Sequence, residues 1–157
     1  SDHMAELEKA ELHDCDRGGK LTVLFNPKEF TVEKQVQWTQ KEGAMTDEPP
    51  EEFTKPTPAN LTVTLHFDTY EQKSSVMEYT SKVEKLALII SKEKPRPPLC
   101  KFVWGKFVFQ GVVESVQQKF TMFLRDGTPV RCEATVKMKK ASSAATGKQG
   151  GGGGGGG

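Results

Sequence analysis

The chain has 157 residues and weighs 17.4 kDa, and it ends in an unbroken glycine run, Gly150 to Gly157, with no side chain to bury. Setting the two ends aside leaves roughly 120 residues, enough for one domain with one core, which excludes two domains, a solenoid or a large multi-site enzyme. Lys and Arg total 22 and Asp and Glu total 21, a net charge of +1, which argues against a dedicated nucleic-acid binder with its usual basic excess.

The longest apolar stretch, Leu86 to Ile90, is far too short to cross a membrane as a helix, and no signal-peptide pattern precedes it. Cys15, Cys100 and Cys132 form no CxxC pair. An odd, scattered set points to a reducing compartment rather than a disulfide framework.

Ser1–Met4 reads as a cloning scar, and residues 5–19, charged and ending in Gly18-Gly19, as a flexible N-terminal arm or a short helix in need of a partner. From Lys20, Leu21, Val23 and Phe25 alternate at strand spacing until Asn26-Pro27 interrupts them. Phe30 to Trp38 is a second extended segment. Residues 39–60 carry Pro49, Pro50, Pro56 and Pro58, five acidic residues and a nearly isolated Phe53. The spacing predicts a loop there, and loops of this length in a small domain are usually functional or disordered.

Leu61, Val63, Leu65 and Phe67 alternate with Thr62, Thr64 and His66, which predicts a strand with one buried face. A helix follows, capped by Ser74 or Ser75, with Glu78 placed as in a capping box. Its apolar stripe is Val76, Tyr79, Val83, Leu86, Ala87 and Ile90. Lys92 and Lys94 suit its carbonyl end, and Pro95, Pro97 and Pro98 stop it.

Three more strands are predicted after the prolines. Leu99 to Phe109 is aromatic-rich, with a parity change at Gly105 that marks a bulge or a turn. Val112 to Leu124 places Val116, Phe120, Met122 and Leu124 on one face, and Asp126-Gly127 is a turn signal. Val130, Cys132, Ala134, Val136 and Met138 then face inward, and Arg131, Glu133, Thr135, Lys137 and Lys139 outward. The fold class is mainly β (α+β): an antiparallel β-barrel or sandwich with one flanking helix. The domains expected are the scar 1–4, the arm 5–19, a barrel domain 20–140 and a flexible glycine-rich tail or linker 141–157.

Catalytic signatures are missing. No HExxH, GxSxG or glycine-rich phosphate loop occurs, and no catalytic, cofactor-binding or metal-ligating set is assigned. His66 beside Asp68 reads as an exposed strand residue, and Cys132, although next to Arg131, as a buried inert thiol. The run Phe102 to Phe109 with Lys101 and Lys106 fits either a core strand or a base-stacking platform. The outward row Arg131, Glu133, Thr135, Lys137 and Lys139 reads as a solvated face, a channel lining or a surface for an acidic partner. Glu48, Pro49, Pro50, Glu51, Glu52 and Phe53 read as a disordered loop or a docking arm that orders on contact.

Several phrases then occur in order: Leu24 to Phe30 (LFNPKEF), Leu65 to Glu71 (LHFDTYE), Arg96-Pro97-Pro98, Phe102 to Gly105 (FVWG), Phe107 to Val113, and Phe120 to Arg131 (FTMFLRDGTPVR). Together, over residues 20–140, they resemble the tube-type domain of contractile injection systems and related phage-tail baseplates. In many relatives this domain is the front half of a protein whose back half is a LysM domain. The resemblance implies a structural part rather than an enzyme, with a tail-tube-like barrel and no cofactor. It implies a hexameric ring that joins the inner tube to the central spike and seeds tube growth, or else a tube protomer itself. Implied partners are further copies and the spike, tube and baseplate proteins of the same particle, with no nucleic acid and no stable membrane insertion. Assembly would take place in the cytoplasm. Glu48 to Phe53 would dock on the next ring, and the Arg131 to Lys139 row would face the lumen or a partner. No LysM-like segment follows Lys148-Gln149 within this sequence. The alternative from another class is a small β-barrel that binds a ligand or nucleic acid.

Overall fold

The structure, a computed structural model, describes residues 7–36, 38–40, 51–53, 55–88, 93 and 95–141. Its strands are β1 (Glu11–Asp14), β2 (Lys20–Thr22), β3 (Phe30–Gln35), β4 (Trp38–Gln40), β5 (Glu51–Phe53), β6 (Thr57–Asp68), β7 (Cys100–Trp104), β8 (Phe107–Phe123) and β9 (Pro129–Lys140), with one helix, α1 (Met77–Lys85), between β6 and β7. Seven strands form one antiparallel sheet in the order β2-β1-β7-β8-β9-β6-β3, and β4 and β5 form a separate pair.

Burial follows the period-2 patterning. Leu61, Val63, Leu65 and Phe67 on β6 stand opposite Met138, Val136, Ala134 and Cys132 on β9, and every one of them is fully or almost fully buried. Larger side chains face smaller ones at Leu65–Ala134 and Phe67–Cys132, so the layer fills without overpacking. Each of the Leu, Val, Phe and Met side chains contributes roughly 1.5–3 kcal/mol by leaving water.

The sheet curls into a half-barrel. Phe30, on the β3 edge, packs against Phe102 of β7, Trp104 and Phe107 at centroid distances of 5.8, 6.1 and 4.6 Å, although β3 and β7 are not neighbours in the sheet. Phe102 and Phe109 are buried, so this aromatic run is core rather than a stacking platform. The helix lies over the concave side. Val76, Thr80, Val83 and Leu86 are buried, and Tyr79 stacks on Phe67 at 5.5 Å. The expected capping box is not formed: Val76 is the N-cap without a side-chain cap bond, Ser75 Oγ accepts the Met77 amide at 3.1 Å, and the Glu78 amide donates to the Ser75 backbone carbonyl at 3.3 Å. Ile90, Lys92 and Lys94 lie outside the described residues.

Four expectations are corrected. The segment expected to be a flexible arm over 5–19 contains β1, which is paired on both sides: its Ala10 and Leu12 neighbourhood is buried, and the sheet starts at Glu11 rather than at Lys20. This segment is also clamped. Asn26 accepts the Ala10 amide at 2.9 Å and donates to the Glu8 carbonyl at 2.8 Å, and Trp104 Nε1 donates to the same carbonyl at 3.2 Å. Second, Leu99 to Phe109, counted as one strand, is two, and of the bulge or turn expected at Gly105 it is the turn that forms, with Gly105 at a φ of 61°.

Third, the strand expected over Val112 to Leu124 begins earlier, since β8 already runs from Phe107. Gly111 lies inside β8, and a methyl there would overlap the Lys139 carbonyl, so only glycine lets the strands approach this closely. Fourth, register shifts near Ser115 and Met122 move the β8 pattern. Val113, Val116 and Phe120 face the inward β9 row, but Met122 falls opposite Arg131 on the outer side.

Candidate assembly surfaces

The outward β9 row lies across the middle of the sheet, and its neighbours divide it in two. At one end Arg131 Nε donates to Asp68 Oδ2 at 3.0 Å, and His66 Nδ1 lies 3.9 Å from Glu133 Oε2. The Tyr70 backbone amide and then Arg131 hold the Asp68 carboxyl below the usual carboxylate range. Thr135 meets Thr64 hydroxyl to hydroxyl at 3.0 Å in the centre. At the other end Lys137 stands between Thr62 and Ser115, and Lys139 between Asn60 and Val112. Neither lysine has a carboxylate partner among the described residues. The row thus has one end that carries the Arg131–Asp68 pair, a hydroxyl centre and a cationic end without carboxylate partners among the described residues, on the outer face of the curled sheet.

The second predicted surface is only partly described. Glu48, Pro49 and Pro50 lie outside the described residues, whereas Glu51, Glu52 and Phe53 form β5. A loop over all of 39–60 is therefore corrected to a hairpin arm. Trp38 pairs with Phe53, Thr39 with Glu52 and Gln40 with Glu51. The ladder between β3 and β6 ends at Gln35–Thr57. The chain advances three residues on one side and four on the other from that pair to Trp38–Phe53. The two advances differ by one residue, so the arm is a separate two-stranded pair in a shifted register, reached from the end of β3 and leading into β6.

The arm precedes the start of β6, so the Lys137 and Lys139 end of the row, opposite Thr62 and Asn60, is the end nearer to it, while the Arg131–Asp68 pair sits at the far end of a strand of twelve residues, about 40 Å long. His66 is half-exposed beside Glu133, and Cys132 is buried, with burial pushing its thiol up. Cys100 is likewise buried and pushed up to about 12. Among the described residues, no three His, Cys, Asp or Glu side chains are grouped to hold a metal, and no helix is long and apolar enough to cross a membrane.

The sequence reading missed a staple that fixes the N-terminal strands. Asp16 Oδ2 accepts from Arg96 Nη1 at 2.8 Å and from the Leu99 amide at 2.6 Å, and Oδ1 accepts from Arg96 Nη2 at 3.3 Å. Arg96, then the Leu99 amide, hold the Asp16 carboxyl below its ordinary value despite an opposing desolvation effect. The alternation of Ala10 and Leu12 with Glu11 and His13 was the available signal for β1, but the surrounding charges hid it.

Many residues in the quoted phrases thus hold the scaffold: Asn26 and Trp104 at the N-terminal segment, Phe30 across the curl, Asp68 with Arg131, Arg96 with Asp16, and Gly111 at a close strand approach. Residues 4–149 match the family described as contractile injection system tube protein. No curated protein matches the chain in sequence. The match covers nearly the whole sequence, and the chain belongs to the contractile injection system tube protein family. It is a structural, tube-like component of such a particle.

Proposed function

We propose that the chain forms a ring that joins the inner tube of a contractile injection system to its central spike and starts tube assembly. The carrying observation is the family match over residues 4–149, which takes in both sheet edges and the arm. Two features of the fold support a ring. β2 and β3 end the seven-stranded sheet, and edge strands are ready templates for pairing with a neighbouring copy. The β4–β5 arm, a separate pair between β3 and β6 in the chain, has the chemistry of a docking segment, with Glu48, Glu51, Glu52 and Phe53 around two prolines. It would dock on the next ring. The polar Arg131, Glu133, Thr135, Lys137 and Lys139 face would line the lumen or meet a partner.

A second reading is the tube protomer itself, and the family description favours it. Electron microscopy of the purified chain separates the two. Single rings that lengthen only when tube protein is added support the adaptor. Long tubes formed by the chain alone support the protomer, and the absence of rings under all conditions sinks both. Assembly in the cytoplasm before incorporation into the particle belongs to either reading.

A further inference from the structure

The β1–β2 turn and the C-terminal end of α1 enclose a cavity of about 220 Å³. Its floor is apolar, formed by Leu12, Leu21 and Leu86, and its rim carries Arg17, Lys82 and Lys85. Arg17 ties the two walls together: its Nε donates to Asp14 Oδ2 at 2.7 Å, and its Nη2 donates to the Lys85 carbonyl at 3.1 Å. Asp14 is the one carboxylate among the lining residues, and the Arg17 side chain and two turn amides already engage it. Lys20, also on the rim, lies 3.3 Å from Glu11. Lys82 and Lys85 have no carboxylate partner among the described residues. Unpaired cations around an apolar floor fit a peptide that presents several carboxylates next to one large apolar side chain.

The chain itself contains such a peptide. Asp47-Glu48-Pro49-Pro50-Glu51-Glu52-Phe53 has four carboxylates, one aromatic residue and no cation. The topology directs it toward another molecule. From β1 to β6 the sheet takes four antiparallel steps through β7, β8 and β9, so β1 and β6 run the same way. The turn that walls the cavity follows the end of β1, and the arm precedes the start of β6. The two therefore lie in opposite directions along the strands, as a head-to-tail contact between copies requires.

We propose that this cavity receives residues 47–53 of a second copy, with Phe53 on the leucine floor and the glutamates against Lys82 and Lys85. The proposal rests on the reading that this segment docks between rings, and it names the receptor.

A fluorescein-labelled peptide of residues 44–56 titrated into the full chain tests it, with the Lys82→Glu/Lys85→Glu chain as comparison and circular dichroism to check folding. Because both lysines are exposed on the helix, a Lys82→Gln/Lys85→Gln chain serves as the milder variant. The expected result is saturable binding that weakens about tenfold or more in the charge-reversed chain and falls as salt rises. Equal binding to both chains, or none to either, overturns the proposal. A parallel arm measures self-association. Loss in Lys82→Glu/Lys85→Glu and recovery on adding Glu51→Lys/Glu52→Lys supports the pairing. A wild-type chain that takes up the peptide but never self-associates leaves the receptor standing and removes the ring reading. Normal assembly of the charge-reversed chain removes the receptor and leaves the ring.

Discussion

β9 and the β4–β5 arm are both parts of antiparallel hairpins, yet different things hold them. In β9 every inward residue from Val130 to Met138 is buried, and the partners on β6 and β8 fix its register from both sides. A slip by one residue would turn five apolar side chains to water. Among the described residues the arm has a single ladder of three residue pairs, and β4 and β5 have no third strand. Two-stranded pairs are marginal by themselves. The comparison sets a strand whose register the core fixes from both sides against an arm without such a core, whose acidic and proline-rich sequence would, on the docking reading proposed above, be read by a partner.

The largest expected effect breaks the β9 side. Leu65→Asp places a carboxylate opposite Ala134 in a fully buried layer. An unpaired buried charge costs several kcal/mol, on the order of total stability, so the variant should show no cooperative thermal transition. Retention of a native transition would mean that the β6–β9 layer is not the core. Next comes Gly111→Ala, whose methyl meets the Lys139 backbone rather than a movable side chain. Overpacking of this kind costs about 1–3 kcal/mol or more, read as a lower denaturation midpoint, and an unchanged midpoint would contradict the close β8–β9 approach.

Asp16→Ala should cost less, about 1–2 kcal/mol, because two of the bonds it removes come from a partly exposed arginine. Its pH dependence follows from the depressed carboxyl. The stabilisation is present at and above the ordinary carboxylate value and is lost as pH falls below it. Wild type and Asp16→Ala should therefore converge in stability on acidification, and a constant gap down to low pH would rule out the ion pair as the cause. The smallest effect on folding is at the arm. Phe53→Ala should leave the unfolding transition in place while weakening association between copies. If the variant instead loses its fold, the arm belongs with β9 and the comparison fails.

How much of this was legible follows the same division. The inward rows of β6 and β9 could be read directly because both strands alternate strictly and pair with each other. β8 was harder: Ser115 and Met122 sit at register shifts, and a bulge moves later side chains to the other face without leaving a mark in composition. β1 was missed because only Ala10 and Leu12 face inward among many charges, and its anchors, Asn26, Arg96 and Trp104, are distant in sequence. The arm read as a loop because prolines 56 and 58 outweighed a pairing that depends on the opposite strand. The row from Arg131 to Lys139 was located correctly on the outer face, but its division into a paired and an unpaired end depends on Asp68 across the ladder.

The most direct measurement is the solution mass of the chain by light scattering after size exclusion, over a wide concentration range. A ring-forming component should give a hexameric species, or a ladder of stacked rings that shortens in the Phe53→Ala variant. A strict monomer at every concentration would contradict spontaneous ring formation.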